Sequence, residues 1–269
     1  MPVFTHVKKE ELGKLKGYQK EPPKTSYEEL RLKKSNVTLV LYTSGKLLLQ
    51  GKPEDVAKIK IELENAGISK KETAQNFLSE SGDIIGSDES LKGDTFGGIV
   101  VAAVKADEKL REKLVELGVA DSKTLNDKEI IRMAEQIRKL VPNIVKSLSP
   151  EEYNRYEGNV TKLLNQLHKE CADELKPGKH IVDKYPGCSV GDVREEKAES
   201  KYVEVAAASI LARDAALKQI QSLSKRAGFA IPLGSTHVKS ALLELKKRKL
   251  APQEFVKMNF KNVKEILNE

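Results

Sequence analysis

The sequence contains few cysteines, few aromatic residues and no tryptophan. Its two cysteines, Cys171 and Cys188, have no second Cys or His at metal-site spacing beside them, so neither a disulfide framework nor a zinc site is expected. No apolar stretch approaches the length of a membrane span, and the residues after Met1 lack the apolar segment of a signal peptide. These absences predict a cytoplasmic chain that makes no contact with a membrane.

The phosphate-binding loop of nucleoside triphosphate hydrolases is also missing. What the chain has in excess is positive charge, with 47 Lys and Arg against 40 Asp and Glu. Positive charge suits a nucleic-acid partner, because neutralised phosphates supply much of the affinity for nucleic acids. Ribosomal and heat-adapted proteins share this balance, so the charge by itself leaves both interpretations open.

Hydrophobic periodicity divides the chain into a small and a large part. Residues 1–68 are predicted to form an α+β domain with a polar helical stretch at 25–34, a hairpin at 37–50 and an amphipathic helix at 54–66. The polar residues 69–82 predict a linker.

Residues 83–269 are predicted to form the larger domain. Apolar strands at 84–89 and 97–104 alternate with helices. One helix begins at a capping-box pattern of Asn126 and Glu129, and a long alanine-rich helix at 203–227 is stopped by Gly228. This alternation predicts an α/β fold with a mixed sheet flanked by helices.

Four acidic residues each follow an apolar run: Asp88, Glu89, Asp183 and Glu199. Strand ends in α/β folds are rigid and face a crevice, which makes them common positions for functional groups. A single acid in such a place is more often a turn former or a helix cap. If several of them converge, carboxylate oxygens are the ligands that Mg²⁺ or Mn²⁺ prefers. Successive strand residues point to opposite faces, so Asp88 and Glu89 share a site only if the strand bends or ends there.

Segment 86–98 resembles the signature of the ribonuclease HIII family, in which a strand delivers Asp-Glu into a Gly-Lys-Gly turn followed by Phe-Gly. Three further segments, 120–125, 181–183 and 197–213, are similar to the family's other motifs and occur in the same order. The resemblance implies a ribonuclease H-like catalytic domain at 83–269. It also implies that domain 1–68 resembles half of a TATA-binding protein and binds substrate.

The resemblance implies an endonuclease that hydrolyses the RNA strand of RNA/DNA hybrids by a two-metal mechanism, leaving 5′-phosphate and 3′-hydroxyl ends. It assigns Asp88, Glu89, Asp183 and Glu199 as catalytic residues and as ligands of Mg²⁺ or Mn²⁺. The residues implied to contact substrate are Ser90, Leu91, Lys92, Gly93, Ser122 and Lys123. The expected partner is an RNA/DNA hybrid duplex bound by a monomer.

One position departs from the family pattern in a way that matters chemically. Leu91 stands where the family usually has the first glycine of the turn, whose backbone contacts ribose 2′-hydroxyls. A leucine with positive φ costs about 1 kcal/mol or more, or else the turn changes its shape. Two alternatives therefore stay open: an HII-like enzyme for embedded ribonucleotides, and a non-catalytic nucleic-acid-binding protein.

Overall fold

The computed structural model describes residues 3–4, 7–43, 45, 47–68, 77–78, 80–119, 122 and 125–267. The chain divides into two compact units, Met1–Ala74 and Gln75–Glu269. The point of division falls inside the segment that the sequence predicts to be a linker.

The N-terminal unit is an antiparallel sheet with one face covered by a helix. Its elements are β1 (Val3–Phe4), α1 (Lys9–Leu12), β2 (Gln19–Glu21), β3 (Glu28–Lys34), β4 (Val37–Tyr42), β5 (Leu47–Gln50) and α2 (Pro53–Asn65). The strand order is β1-β5-β4-β3-β2. Leucines of β3, β4 and β5 pack against Val56, Ile59 and Leu63 of α2 and form the core of this unit.

The prediction of a helix at 25–34 is wrong, because most of this stretch is strand β3. Its Glu, Leu and Lys residues have good helix propensity, which is only a weak prior. Leu30 and Leu32 lie two residues apart and both enter the core, while β3 pairs along its length with β4. Burial of this alternating face therefore outweighs the local preference.

The larger unit is built around a mixed sheet with strand order β10-β9-β6-β7-β8. Its strands are β6 (Ile84–Ser90), β7 (Ile99–Ala106), β8 (Asn143–Leu148), β9 (Lys179–Asp183) and β10 (Val193–Glu195). Its helices are α3 (Glu108–Glu116), α4 (Asp127–Leu140), α5 (Pro150–Arg155), α6 (Val160–Asp173), α7 (Val203–Ala227), α8 (Lys239–Lys247) and α9 (Lys261–Leu267), with short 3-10 helices at Ala198–Ser200 and Pro252–Glu254. Strand β6 runs parallel to β9 and antiparallel to β7, which confirms the predicted mixed α/β fold.

Local signals that the sequence carries are confirmed at several element boundaries. The side chain of Asn126 accepts from the backbone N–H of Glu129, and the Glu129 carboxylate accepts from the Asn126 N–H, which completes the capping box of α4. Helix α7 ends at Gly228, which adopts a left-handed conformation with φ of 72°. No helix in the described part of the chain is long and apolar enough to cross a membrane.

The two faces of the central sheet pack against different helices. Val100, Ala102 and Val104 of β7 share a core with α7, whereas Val101 and Ala103 share a core with α6. The same alternation continues into β6, where Ile85 joins the α6 side. A side chain's position along β6 therefore decides which helix it meets.

Helix α7 lies against β6 so closely that Gly86 has no room for a side chain. A Cβ at this position would lie 2.4 Å from the backbone carbon of Glu204 and 2.4 Å from the nitrogen of Val205. Backbone atoms of a long buried helix cannot shift cheaply, so this contact requires glycine.

We expect Gly86→Ala to lower the free energy of unfolding by about 1–3 kcal/mol or more, because it overpacks the contact between β6 and α7. Urea denaturation measures the loss. Gly93→Ala is the matched control, since a Cβ at Gly93 meets no atom within 4 Å. Equal stability of the two variants would contradict the close packing described here.

Candidate active site

A cavity of about 490 Å³ opens at the end of strands β6 and β9. It is lined by Asp88, Glu89, Ser90, Leu91, Asp94, Ser122, Asp183, Ser209, Arg213, Ala216, Leu217 and Leu233. Three of the four predicted acidic residues are among them. The cavity is therefore formed where the sequence analysis expects the functional groups, at the ends of neighbouring strands.

Asp88 lies on the face of β6 that meets α7. Its carboxylate accepts from the Glu89 backbone N–H at 2.8 Å and hydrogen-bonds with the side chain of Ser209. Only 8% of the residue is exposed. Burial raises the pKa of Asp88 well above its ordinary value, and the nearby charges of Glu89 and Asp183 raise it further.

The side chain of Glu89 points from the opposite face of β6 towards α6. Its Oε2 lies 3.3 Å from Nε2 of His168, and its Oε1 accepts from Nζ of Lys92 at 3.1 Å. Burial alone would raise the pKa of Glu89, but His168 and Lys92 outweigh it and lower the pKa. Because β6 ends at Ser90, the two adjacent carboxylates reach one cavity from opposite faces without a bend between them.

Asp183 ends the neighbouring parallel strand. The register pairs Ser87 of β6 with Val182 of β9, so the next residues, Asp88 and Asp183, lie side by side. The Asp183 Oδ1 accepts from the Ala198 backbone N–H at 2.8 Å, which ties it to the 3-10 helix that carries Glu199. Burial, together with the charges of Glu199 and Glu89, raises the pKa of Asp183 to about 6.

Glu199 is 3% exposed and does not line the cavity itself. Its carboxylate lies close enough to Asp183 to raise the pKa of that residue. The structure thus brings Asp88, Glu89 and Asp183 to one cavity and places Glu199 directly behind Asp183.

The turn after β6 presents the other predicted substrate residues. Leu91 has φ of 65°, so this leucine adopts the left-handed conformation for which the family uses glycine. Its side chain is 3% exposed and belongs to the core between β7 and α7. Gly93 is exposed, and Nζ of Lys92 lies 4.6 Å from the ring centroid of Tyr185.

The left-handed leucine is tolerated because burial compensates for it. A left-handed conformation costs an L-residue about 1–2 kcal/mol. Burying a leucine side chain contributes about 1.5–3 kcal/mol. The turn therefore keeps its positive φ at Leu91 and does not change to another shape.

Ser122 lies on the wall of the cavity nearest α7. It is 4% exposed, and its hydroxyl lies 2.8 Å from the hydroxyl of Ser209. The guanidinium of Arg213 donates to the Ser122 carbonyl. Lys123, the other residue predicted here, lies outside the described residues.

A buried polar chain behind Glu89 is missing from the sequence analysis. The Ser87 hydroxyl lies 2.8 Å from Nδ1 of His168 and 2.8 Å from Nε2 of His180. Burial lowers the pKa of His180 to about 4, so this ring is neutral near pH 7. The Ser87 hydroxyl thus joins the two rings, and His168 contacts Glu89 through its other nitrogen.

Weak signals for these missed residues exist in the sequence. Ser209 is the one polar residue within 205–212, an otherwise apolar run of α7. His168 falls on the apolar stripe of α6, next to Leu167 and in line with Leu164 and Cys171. A buried polar side chain requires a partner, but the sequence does not reveal which one.

The donor set of the cavity fits a divalent cation chemically. It consists of carboxylate oxygens, which Mg²⁺ and Mn²⁺ prefer. Burial and mutual repulsion raise the pKa of Asp88 and of Asp183, and a bound cation relieves that repulsion. Among the described residues, no three His, Cys, Asp or Glu side chains already surround one point as ligands. The acids are thus neighbours across the cavity and do not form a closed cage.

Comparisons with known proteins agree with this arrangement. The family model for Ribonuclease HII matches residues 85–263. Ribonuclease HIII of Streptococcus agalactiae is 33% identical over 237 residues, which cover 78% of this chain and 77% of that protein. The chain belongs to the ribonuclease HIII family.

Solved structures of the family are similar to this ribonuclease HIII family member. The crystal structure of Bst-RNase HIII in complex with Mn²⁺ is 30% identical with a TM-score of 0.64, covering 99% of this chain and 97% of that one. RNase HII from Archaeoglobus fulgidus, solved as a PCNA:RNase HII complex, is 29% identical with a TM-score of 0.60 and covers 68% of this chain and 96% of its own. Of these two structures, the HIII structure is the one that extends over nearly the whole chain.

Membership of the ribonuclease HIII family establishes the activity. The chain is an endonuclease of the ribonuclease H type that acts on RNA/DNA hybrids. Its cofactor is Mg²⁺ or Mn²⁺.

We expect His168→Ala to weaken the affinity for Mn²⁺ by about 10–100-fold, the range for residues that support a metal ligand, because Glu89 loses its contact on the α6 side. Calorimetric titration of Mn²⁺ without substrate measures the loss. His237→Ala, at an exposed histidine, is the control. Wild-type affinity in a folded His168→Ala variant would show that Glu89 does not depend on this contact.

Proposed function

We propose that Asp88, Glu89, Asp183 and Glu199 are the catalytic carboxylates of this endonuclease and the ligands of two Mg²⁺ or Mn²⁺ ions. The observation that carries the proposal is the convergence of Asp88, Glu89 and Asp183 on one cavity from the ends of two adjacent parallel strands. Glu199 completes the set through its position beside Asp183. The reaction is hydrolysis of a phosphodiester in the RNA strand, with 5′-phosphate and 3′-hydroxyl products.

Bound divalent cations would activate a water and stabilise the charge that develops on the leaving oxygen. The protein residues hold the carboxylates for this purpose. Ser209 orients Asp88, His168 and Lys92 contact Glu89, and the Ala198 N–H orients Asp183. A bound cation would favour the charged form of Asp183, whose pKa is raised by burial and by the neighbouring carboxylates.

The substrate contacts in the proposal come from the turn after β6 and from the opposite wall. Ser90 and Leu91 line the cavity, and Gly93 exposes its backbone beside Lys92. The Lys92 ammonium, paired here with Glu89, provides a point charge for a backbone phosphate. Ser122 and Lys123 complete the predicted set.

We also propose that the N-terminal unit, a domain resembling half of a TATA-binding protein, holds the hybrid. The sheet face opposite α2 carries a row of polar side chains, because the strand registers pair Gln19 with Lys33, Lys33 with Thr38, and Thr38 with Gln50. Such side chains contact phosphate and sugar without reading sequence. We propose further that the protein is a monomer and acts in the cytoplasm.

Asp88→Asn tests the carboxylate assignment. We expect kcat on a hybrid to fall by more than about 100-fold, beyond the range for residues that only support a ligand. Hybrid binding should persist, because the substitution is isosteric and removes a negative charge next to a polyanion. Gel-based cleavage with Mg²⁺ and fluorescence anisotropy measure the two quantities.

Asp173→Asn is the matched control for that experiment. Asp173 lies on α6, pairs with Lys169 and Lys176, and does not line the cavity. Cleavage by Asp88→Asn at the rate of this control would exclude the assignment.

A substrate comparison separates an HIII-type from an HII-type enzyme. We expect kcat/KM for a long hybrid to exceed that for a DNA duplex with one embedded ribonucleotide. The HIII structure covers 99% of this chain, so it includes the N-terminal unit that we propose holds the hybrid, whereas the HII structure covers 68% of the chain. Both duplexes carry the same sequence and the same label. Much faster cutting of the embedded ribonucleotide would establish the HII-like alternative.

A further inference from the structure

The turn between β6 and β7 is held from behind by the C-terminal part of the chain. The Lys257 backbone N–H donates to the Thr95 carbonyl at 3.0 Å, and the Gly97 N–H donates to the Phe255 carbonyl at 2.9 Å. Residues Phe96 and Val256 form an isolated antiparallel bridge. Segment 255–257 therefore acts as a short partner strand on one side of the turn, while the Gly234 carbonyl accepts from the Thr95 N–H on the other.

Lys257 adds two side-chain contacts to this backbone pairing. Its Nζ donates to the Leu91 carbonyl at 2.7 Å and to the Asp94 carbonyl at 2.6 Å. These carbonyls lie at the two ends of the tight part of the turn. One buried ammonium group thus fixes the direction of both peptide units.

The surroundings of Lys257 show that its position is energetically expensive. The residue is 0% exposed, and Nζ lies 5.5 Å from the ring centroid of Tyr153 and 5.2 Å from that of Phe260. Burial lowers its pKa to about 7, although the charge of Asp94 opposes the shift. A methionine would fill the same space without the desolvation cost. What methionine lacks is donors for the two carbonyls.

The contact falls on the residue whose backbone conformation is least favourable. Leu91 is held at positive φ, and its Cδ1 would lie 2.9 Å from a Cβ at Gly97, so the side chain covers the second left-handed residue of the turn. Burial of the leucine side chain supplies energy but does not set the direction of its carbonyl. That carbonyl accepts from the Asp94 backbone N–H at 3.2 Å and from Nζ of Lys257 at 2.7 Å, so Lys257 strengthens a turn that the backbone closes.

We infer that Lys257 is a positioning residue for substrate discrimination: its two hydrogen bonds hold the turn at Leu91 in the shape that meets the RNA strand. The inference rests on the proposed function of this turn as a substrate contact. The Lys257 amine keeps at least two N–H donors in either protonation state, so both carbonyl contacts persist near pH 7. Lys257 reaches the substrate only through the turn, and its substitution should change recognition more than the chemical step.

The test compares binding of an RNA/DNA hybrid with binding of a DNA duplex of the same sequence. The full-length Asp88→Asn variant is used, so that no cleavage occurs, and Lys257→Met is added to it. We expect hybrid affinity to fall about tenfold, as when the net contribution of one hydrogen bond is lost, with duplex affinity unchanged. Equal weakening on both duplexes, or no change on either, would overturn the inference.

Two further variants make the result specific. Lys261 lies on α9, and its side chain is 89% exposed. We expect Lys261→Met to leave both affinities unchanged. Adding Leu91→Gly to Lys257→Met should restore part of the hybrid preference, because glycine adopts positive φ without help. If Leu91→Gly restored no hybrid preference, Lys257 would not act through the conformation of Leu91, and the inference would be overturned.

If Lys257→Met does not fold, as judged by its urea denaturation, Lys257→Gln takes its place. The glutamine amide keeps two N–H donors on a side chain one bond shorter, so it should lose one carbonyl contact and show a smaller fall in hybrid preference. An unchanged preference would overturn the inference. The proposed function is tested separately, by the cleavage of the hybrid with Mg²⁺ by the wild-type chain and by Asp88→Asn, and none of the Lys257 variants enters that test.

Discussion

The register of β6 between β7 and β9 is the constraint on which the catalytic site depends. A slip of one residue would turn Asp88 towards α6 and Glu89 towards α7, and each carboxylate would lose its partner. The contact between Gly86 and the backbone of α7 prevents this slip, because the neighbouring residues Ile85 and Ser87 have side chains that would not fit there. Gly86, two residues before Asp88, therefore fixes the register that places Asp88 and Glu89 in the site.

Burying acidic side chains costs free energy, and the contacts of Asp88 and Glu89 offset this cost to different extents. Asp88 and Glu89 are both buried, yet the pKa of Asp88 is raised and that of Glu89 is lowered. The difference comes from the faces of the sheet: Asp88 meets a neutral hydroxyl of Ser209, whereas Glu89 meets His168 and Lys92. Alternation along one strand thus gives two neighbouring carboxyls different electrostatic roles before any cation is bound.

Local features of the sequence predicted much of the catalytic unit. The capping box at Asn126 and the glycine stop at Gly228 are short-range signals, and both are confirmed. The helix predicted for 25–34 failed because its propensity is local while the burial of Leu30 and Leu32 depends on pairing with β4. Periodicity over a short charged segment could not decide between the two.

The acidic residues could be selected from their positions after apolar runs, but their supporting contacts could not. His168 and Ser87 are separated by 81 residues, and no pattern in the sequence indicates that they are in contact. Lys257 is 166 residues from Leu91, in a part of the chain that carries no motif. Contacts of this kind follow from tertiary packing, whereas the strand ends that carry the acids follow from local pattern.

The leucine at position 91 shows how a departure from a family pattern can leave a backbone shape intact. Glycine permits positive φ but neither enforces it nor contributes burial. Leucine offsets the cost of the same φ with a side chain that joins the core over Gly97, and Lys257 adds a hydrogen bond to the carbonyl that the Asp94 N–H also contacts. The buried side chain, the backbone bridge and the lysine hold the turn together with a backbone bond from Thr95 to Gly234, so part of its rigidity depends on the C-terminal segment. Because we propose that this turn contacts substrate, we expect the packing of the C-terminal segment to affect recognition.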